Sequence, residues 1–365
     1  MSVLTVHRRA RFVSAIALAL VACDKGDSKS PTLPTNPNLP ARPFRLGFSA
    51  IPPKATQESA LATIDAWTRR ADAAIMHISV PYRALLTGTS GTTYVNTVDL
   101  PLANYYRAKG LFLVITLDVT DGLNRAAEAP ELVALGRSIK EPAVQQVYRD
   151  YLVALSTIIH PDYLGLAAET NLIREQAPAA VYGALVQMAN DGAAAVKRAS
   201  VNAPPLYVSV QADIAWGPPP ASYRGIETDF HDFPFMQAVA ISSYPYFIFP
   251  DPDQVPLDYY ARLSNGRKLP VMVVEGGWTS GSAGTIQSSL TKQARYLRRQ
   301  ERLLDSAAAI AMFQLSYTDL DVSQYPAQQQ ASLGVFAQLG LVDTELRPKT
   351  ALATYDSIFA RPFRP

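Results

Sequence analysis

The chain has 365 residues, 48% hydrophobic and 18% charged, with a formal net charge of +2 and one cysteine. That apolar share excludes a disordered tail protein, near-neutrality gives no argument for a nucleic-acid surface, and a single Cys excludes internal disulfides and Cys-rich zinc sites. The length admits two ordinary domains or one large α/β barrel.

Residues 1–22 read as an export signal. His7, Arg8, Arg9 and Arg11 form a basic start, and 12–22 is an apolar run too short to span a bilayer. The run ends Leu20-Val21-Ala22-Cys23. Small residues before a cysteine at this place resemble the lipobox of bacterial lipoproteins. The resemblance implies cleavage before Cys23, a lipid on that cysteine, and anchoring to a bacterial membrane at its periplasmic face or the cell surface. A plain secretory leader is the alternative. Residues 23–43 follow as a linker. Pro31, Pro34, Pro37, Pro40 and Pro43 recur at the three-residue period of polyproline II. An extended stalk of roughly 60 Å is therefore expected.

Residues 44–365 carry eight short β-rich runs, at 45–50, 74–80, 111–118, 163–170, 206–211, 238–244, 270–275 and 309–317. Most are near-continuously apolar, as strands of a parallel sheet covered on both faces should be. Helical patterns separate them, among them 56–71, 142–159, 178–199 and 288–304. The last places Leu290, Ala294, Leu297 and Leu304 on one side. Eight β-then-α units predict an α/β fold, a single (β/α)8 TIM barrel over residues 44–365. A doubly wound open sheet is the competitor, but its Gly-rich fingerprint is missing; the first βα turn reads Ala50-Ile51-Pro52-Pro53.

Functional groups of such barrels stand at the C-terminal strand ends. Those ends offer His77 and, just beyond strand two, Tyr82; Asp118 on strand three; and Glu169 with Asn171 on strand four. Strand five is followed by Trp216, and strand six by Tyr244 and Tyr246. Strand seven ends at Glu275, then Gly276-Gly277-Trp278, and strand eight offers Gln314. Glu169 and Glu275 each follow an apolar run with no basic residue beside them in sequence, and a carboxylate is costly to bury unless it is paired or used. The aromatic rings suit the apolar faces of sugars, although aromatic runs also serve as core.

LPVMVVEGGWTSG (269–281), AVAISSYPYF (238–247) and YLGLAAETNL (163–172) together resemble clan A retaining glycoside hydrolases. In that clan the strand-four and strand-seven glutamates are acid/base and nucleophile. Ser-Tyr-Pro-Tyr is similar to family 53, the arabinogalactan endo-β-1,4-galactanases. The resemblance implies that Glu275 is the nucleophile, Tyr244 its orienting partner and Glu169 the acid/base. His77, Tyr82, Asp118, Asn171, Trp216, Tyr246, Trp278 and Gln314 would contact substrate. The clan usually has Asn before the acid/base; here that position is Ala168.

Retaining hydrolysis needs two carboxyls about 5–5.5 Å apart, one ionised and one protonated. Glu169 is expected to be kept protonated by apolar surroundings and by the charge of Glu275. The sequence thus predicts a lipid-anchored glycosidase, facing the periplasm or the cell exterior, that acts on a polysaccharide or oligosaccharide. It is expected to be a monomer that needs neither cofactor nor metal and binds no nucleic acid. The alternative is a non-catalytic sugar-binding lipoprotein on a degenerate barrel.

Overall fold

The computed structural model describes residues 33–218 and 222–365. The export signal, Cys23 and the first part of the linker lie outside the described residues. Eleven strands are present among those described: β1 (Arg45–Ser49), β2 (Ala73–Ser79), β3 (Phe112–Asp118), β4 (Thr120–Asp121), β5 (Asn124–Glu128), β6 (Tyr163–Gly165), β7 (Leu206–Tyr207), β8 (Ser209–Gln211), β9 (Val239–Ser243), β10 (Val271–Gly276) and β11 (Ala311–Gln314).

Nine of them share one sheet in the order β7-β6-β3-β2-β1-β11-β10-β9-β8. The order begins at β7 and ends at β8, which are two pieces of the single run 206–211 separated only by Val208. The sequence of pairings therefore returns to where it started, as in a barrel. β1 pairs in parallel with β2 and β11, β10 with β9 and β11, and β6 with β3 and β7. Helices alternate with these strands, and the architecture is the predicted (β/α)8 barrel.

Two compact units are distinguished by their internal packing. The first holds Met76–Ser209 and Glu227–Gln237. Its β3 buries Leu113, Val114, Ile115 and Leu117 completely, as its unbroken apolar sequence requires. Helix Pro142–Ala154 starts on Pro142, whose missing N–H costs nothing in a first turn, and packs on helix Ala179–Ala199. Buried hydroxyls are spent on main chain: Tyr148 donates to the Leu166 carbonyl at 2.7 Å, and Tyr207 to that of Ile115 at 2.9 Å.

The second unit holds Val210–Ile226, Ala238–Pro365 and the described residues up to Ile75. Phe48 on β1 is fully buried among Trp67, Tyr317 and Tyr355, with ring centroids 5.1 to 5.8 Å away. Each such side chain contributes about 2–3 kcal/mol by leaving water. Helix Leu290–Ser306 is capped by Ser289, whose hydroxyl accepts from the Lys292 N–H. Its buried face is Gln293, Tyr296, Leu297, Gln300, Leu303 and Leu304, while Leu290 is exposed and Ala294 half-buried. This corrects the expected stripe. The helix turns its two glutamines inward, where each finds polar partners: the Gln293 amide donates to the Leu339 and Gly340 carbonyls at 3.1 and 3.0 Å, and Gln300 donates to the Tyr296 hydroxyl and accepts from Gln314.

The expected polyproline rod is also corrected where it is described. Leu39 closes a turn onto Asn36, and Asn36 donates to the Ala360 carbonyl at 2.7 Å. Arg42 donates from its main chain to Pro362, and its buried guanidinium donates to the Phe44 carbonyl at 2.6 Å and pairs with Asp72 at 2.7 Å. Residues 36–43 are thus bound to the C-terminal segment, because their backbone groups find partners there that a free stalk would leave to water.

Candidate active site

In the first unit, β6 ends at Gly165, five residues before the end of the sequence run 163–170, so Glu169 lies on the loop beyond the strand rather than on it. Its backbone is left-handed, with φ 52° and ψ 48°, and it forms the N-terminal boundary of helix Thr170–Gln176. The Glu169 N–H donates to the Ser209 hydroxyl at 3.0 Å. Glu169 is 6% exposed, and its Oε2 accepts from Nε of Arg125 at 2.9 Å. The same guanidinium donates through Nη1 to Asp118 and to the Thr120 hydroxyl.

The expectation of apolar surroundings for Glu169 is therefore corrected. The basic partner is 44 residues away in sequence, on the antiparallel hairpin β4–β5, and is carried in by the fold. A buried carboxylate without a partner would cost several kcal/mol, and Arg125 offsets that cost. Burial pushes the Asp118 carboxyl above its usual range, Arg125 pulls it down, and the charge of Glu169 adds to the upward push.

In the second unit, the register between β9 and β10 shifts between Val273 and Glu275, an irregularity that re-aims the side chain following it. The Tyr244 hydroxyl donates to Glu275 Oε1 in a short hydrogen bond. Gly276 follows because β9 comes too close for a side chain; an added Cβ would stand 2.4 Å from the Ser243 carbonyl oxygen. Tyr244 is fixed from behind. Its N–H donates to Asp213 Oδ2 at 3.1 Å, while Asp213 Oδ1 accepts from the Tyr259 hydroxyl at 2.5 Å.

Around Tyr244 stand Phe336, Phe247 and Tyr246, with ring centroids 5.0, 5.9 and 6.0 Å away. Phe247 is exposed and Phe336 half-buried. Tyr246 donates to the Val335 carbonyl at 3.2 Å. Burial, with the charges of Asp213 and Glu275, pushes the Tyr246 hydroxyl far up, so it remains a hydrogen-bond donor.

The remaining predicted residues divide into two groups. His77 is half-buried in β2, and Trp216 is half-buried against Tyr259, with its indole N–H on the Tyr259 carbonyl at 2.9 Å. Tyr82, Asn171, Trp278 and Gln314 are buried to 2% or less and direct polar atoms to protein. Tyr82 donates to the Val119 carbonyl, Trp278 to the Ser288 hydroxyl and Gln314 to the Gln300 amide; Asn171 Oδ1 accepts from the Leu172 N–H. Each of the four thus has a polar atom bonded within the protein. Arg125, Phe247 and Phe336 are the residues that sequence reading missed. Asp121-Gly122 ahead of Asn124 was the available hairpin signal for the first.

No family model matches the sequence, and no curated protein matches it. Solved structures do. A glycoside hydrolase family 53 catalytic domain from Ignisphaera aggregans superposes with TM-score 0.61 at 16% identity, over 90% of this chain and 99% of its own. The chain shares that domain's barrel fold. An exo-β-1,4-mannosidase from Opitutaceae bacterium strain TAV5 gives TM-score 0.62 at 15% identity, over 92% of this chain and 62% of its own. The β-glucuronidase of Ruminococcus gnavus gives 0.56 at 13%, over 89% and 51%. The chain thus spans about three-fifths and one-half of the latter two proteins.

Proposed function

We propose that the protein is a glycoside hydrolase that cleaves O-glycosidic bonds of a polysaccharide or oligosaccharide by retaining double displacement. The observation that carries this reading is the Tyr244–Glu275 hydrogen bond, at the C-terminal end of β10 directly after the register shift. That bond orients one carboxylate oxygen for attack. Glu275 attacks the anomeric carbon while Glu169 protonates the leaving oxygen. Glu169 then takes a proton from the water that releases the sugar from Glu275. The exposed Phe247 supplies a ring face for the sugar.

The resemblance of 243–246 to family 53 makes β-1,4-galactan the first substrate to try, followed by the mannosides and glucuronides that other proteins of this fold are named for. The export signal and Cys23 support a lipid-anchored protein acting outside the cytoplasm. A second reading, a sugar-binding lipoprotein without catalysis, is favoured by Ala168 and by the ion pair on Glu169. Incubating the full-length protein with galactan, mannan and glucan and measuring new reducing ends separates the two. Release that disappears in E275Q supports hydrolysis. Binding by calorimetry with no release supports the second reading.

A further inference from the structure

We propose that Arg125 is a positioning residue for the acid/base carboxylate, holding Glu169 from the hairpin β4–β5; this rests on the glycosidase reading above. Left-handed backbone is uncommon for a glutamate and persists only where surroundings impose it. Here the imposition is complete on the main-chain side. The Glu169 N–H is bound to Ser209, and its carbonyl accepts from Leu172 and Ile173, both at 3.0 Å. The next side chain, Thr170, donates to buried Asp229 at 2.8 Å, and Asp229 is gripped by both terminal nitrogens of Arg174. With the backbone fixed, the direction of the carboxyl is set by what holds its end.

Arg125 holds that end. Its guanidinium is planar, and it uses different nitrogens for Asp118 and Glu169, so each carboxylate fixes the angle at which the fork meets the other. Its side chain is only 5% exposed. The hairpin itself is anchored. The carboxylate of Glu128 at its far end accepts from the Ser138 hydroxyl at 2.6 Å and the Ile139 N–H at 2.7 Å. At the turn, Gly122 lies so near Asp118 that an added Cβ would stand 2.5 Å from Oδ2. Arg125 engages Oε2 of Glu169 at 2.9 Å. A lysine would keep the charge but lose the fork.

The test compares E169Q, R125A and R125K in the full-length protein. The substrates are two glycosides of one sugar, a dinitrophenyl glycoside, which departs without protonation, and an unactivated alkyl glycoside, which needs the acid. For E169Q, kcat/KM on the alkyl glycoside falls about 100-fold or more while the dinitrophenyl value stays within about threefold. R125A is expected to show the same split with a loss of about 10- to 100-fold on the alkyl glycoside, and R125K an intermediate one. If E169Q splits the two substrates but both Arg125 variants lower them equally, or lower neither, the positioning role is overturned alone. If E169Q itself shows no split, the acid/base assignment falls with it. R125K decides the matter should R125A fail to fold: a split supports the role, and an equal loss overturns it.

Discussion

Asp99 closes an unusual π-helical turn, Val95–Asp99, and is 1% exposed. Its Oδ2 accepts from the Tyr151 hydroxyl at 2.8 Å, while Oδ1 has no hydrogen-bond partner among the described residues. Burial pushes this carboxyl from 3.8 to about 7, against the smaller opposing effect of the Tyr151 bond. The neighbouring hydroxyls of Tyr94 and Tyr151 are themselves pushed up, so they stay neutral in the same range. Because the folded value lies above the unfolded one, the native state binds the extra proton. Stability is therefore lost as pH rises from about 4 to about 7, and nothing is lost below both values. A shift of about three pH units corresponds to roughly 4 kcal/mol. At about 2.1 cal/mol/K per residue, an unfolding unit of roughly 320 residues changes its Tm by about 6 °C for that energy. D99N keeps the shape and an acceptor for Tyr151 but cannot ionise. Thermal unfolding of both proteins from pH 4 to pH 8 should show the Tm of D99N rising by about 6 °C relative to wild type. A Tm difference that stays constant across that range would refute a buried, titrating Asp99.

Other expectations follow from the same geometry. E275Q should lower kcat/KM by on the order of 10³-fold or more with an unchanged melting curve, read by reducing-end release. G276A forces a Cβ against the Ser243 carbonyl, and should both lower Tm and weaken activity by displacing the Tyr244–Glu275 contact; full activity at wild-type Tm would contradict it. R42A leaves Asp72 without its buried partner and should cost about 3 kcal/mol in urea unfolding. Cells fed labelled palmitate should mark the wild-type chain and not C23A; equal labelling, or none in either, would count against the anchor.

The barrel was legible because its strands are buried on both faces, so their apolar runs stand out without alternation; all eight runs became strands of the sheet. Glu275 and Tyr244 were legible as well, since both lie at the ends of such runs; their hydrogen bond was implied by the resemblance of those segments to clan A enzymes. Arg125 was not. It sits in a segment with neither helical nor strand period, and only the hairpin brings it to a carboxylate 44 residues on. Helix Leu290–Ser306 misled for a related reason: hydropathy counts Gln293 and Gln300 as polar, whereas the fold supplies each with buried partners. The proline spacing of the linker did not reveal its contacts, which come from the far end of the chain.

Central to the proposed mechanism is a covalent bond between Glu275 and the sugar. The direct measurement is mass spectrometry of peptides after incubation with an activated 2-deoxy-2-fluoroglycoside, which forms the glycosyl-enzyme but releases it slowly. One added fluorosugar is expected, on Glu275, in wild type and none in E275Q. A label on another carboxylate, or substrate turnover without any label on Glu275, would contradict it.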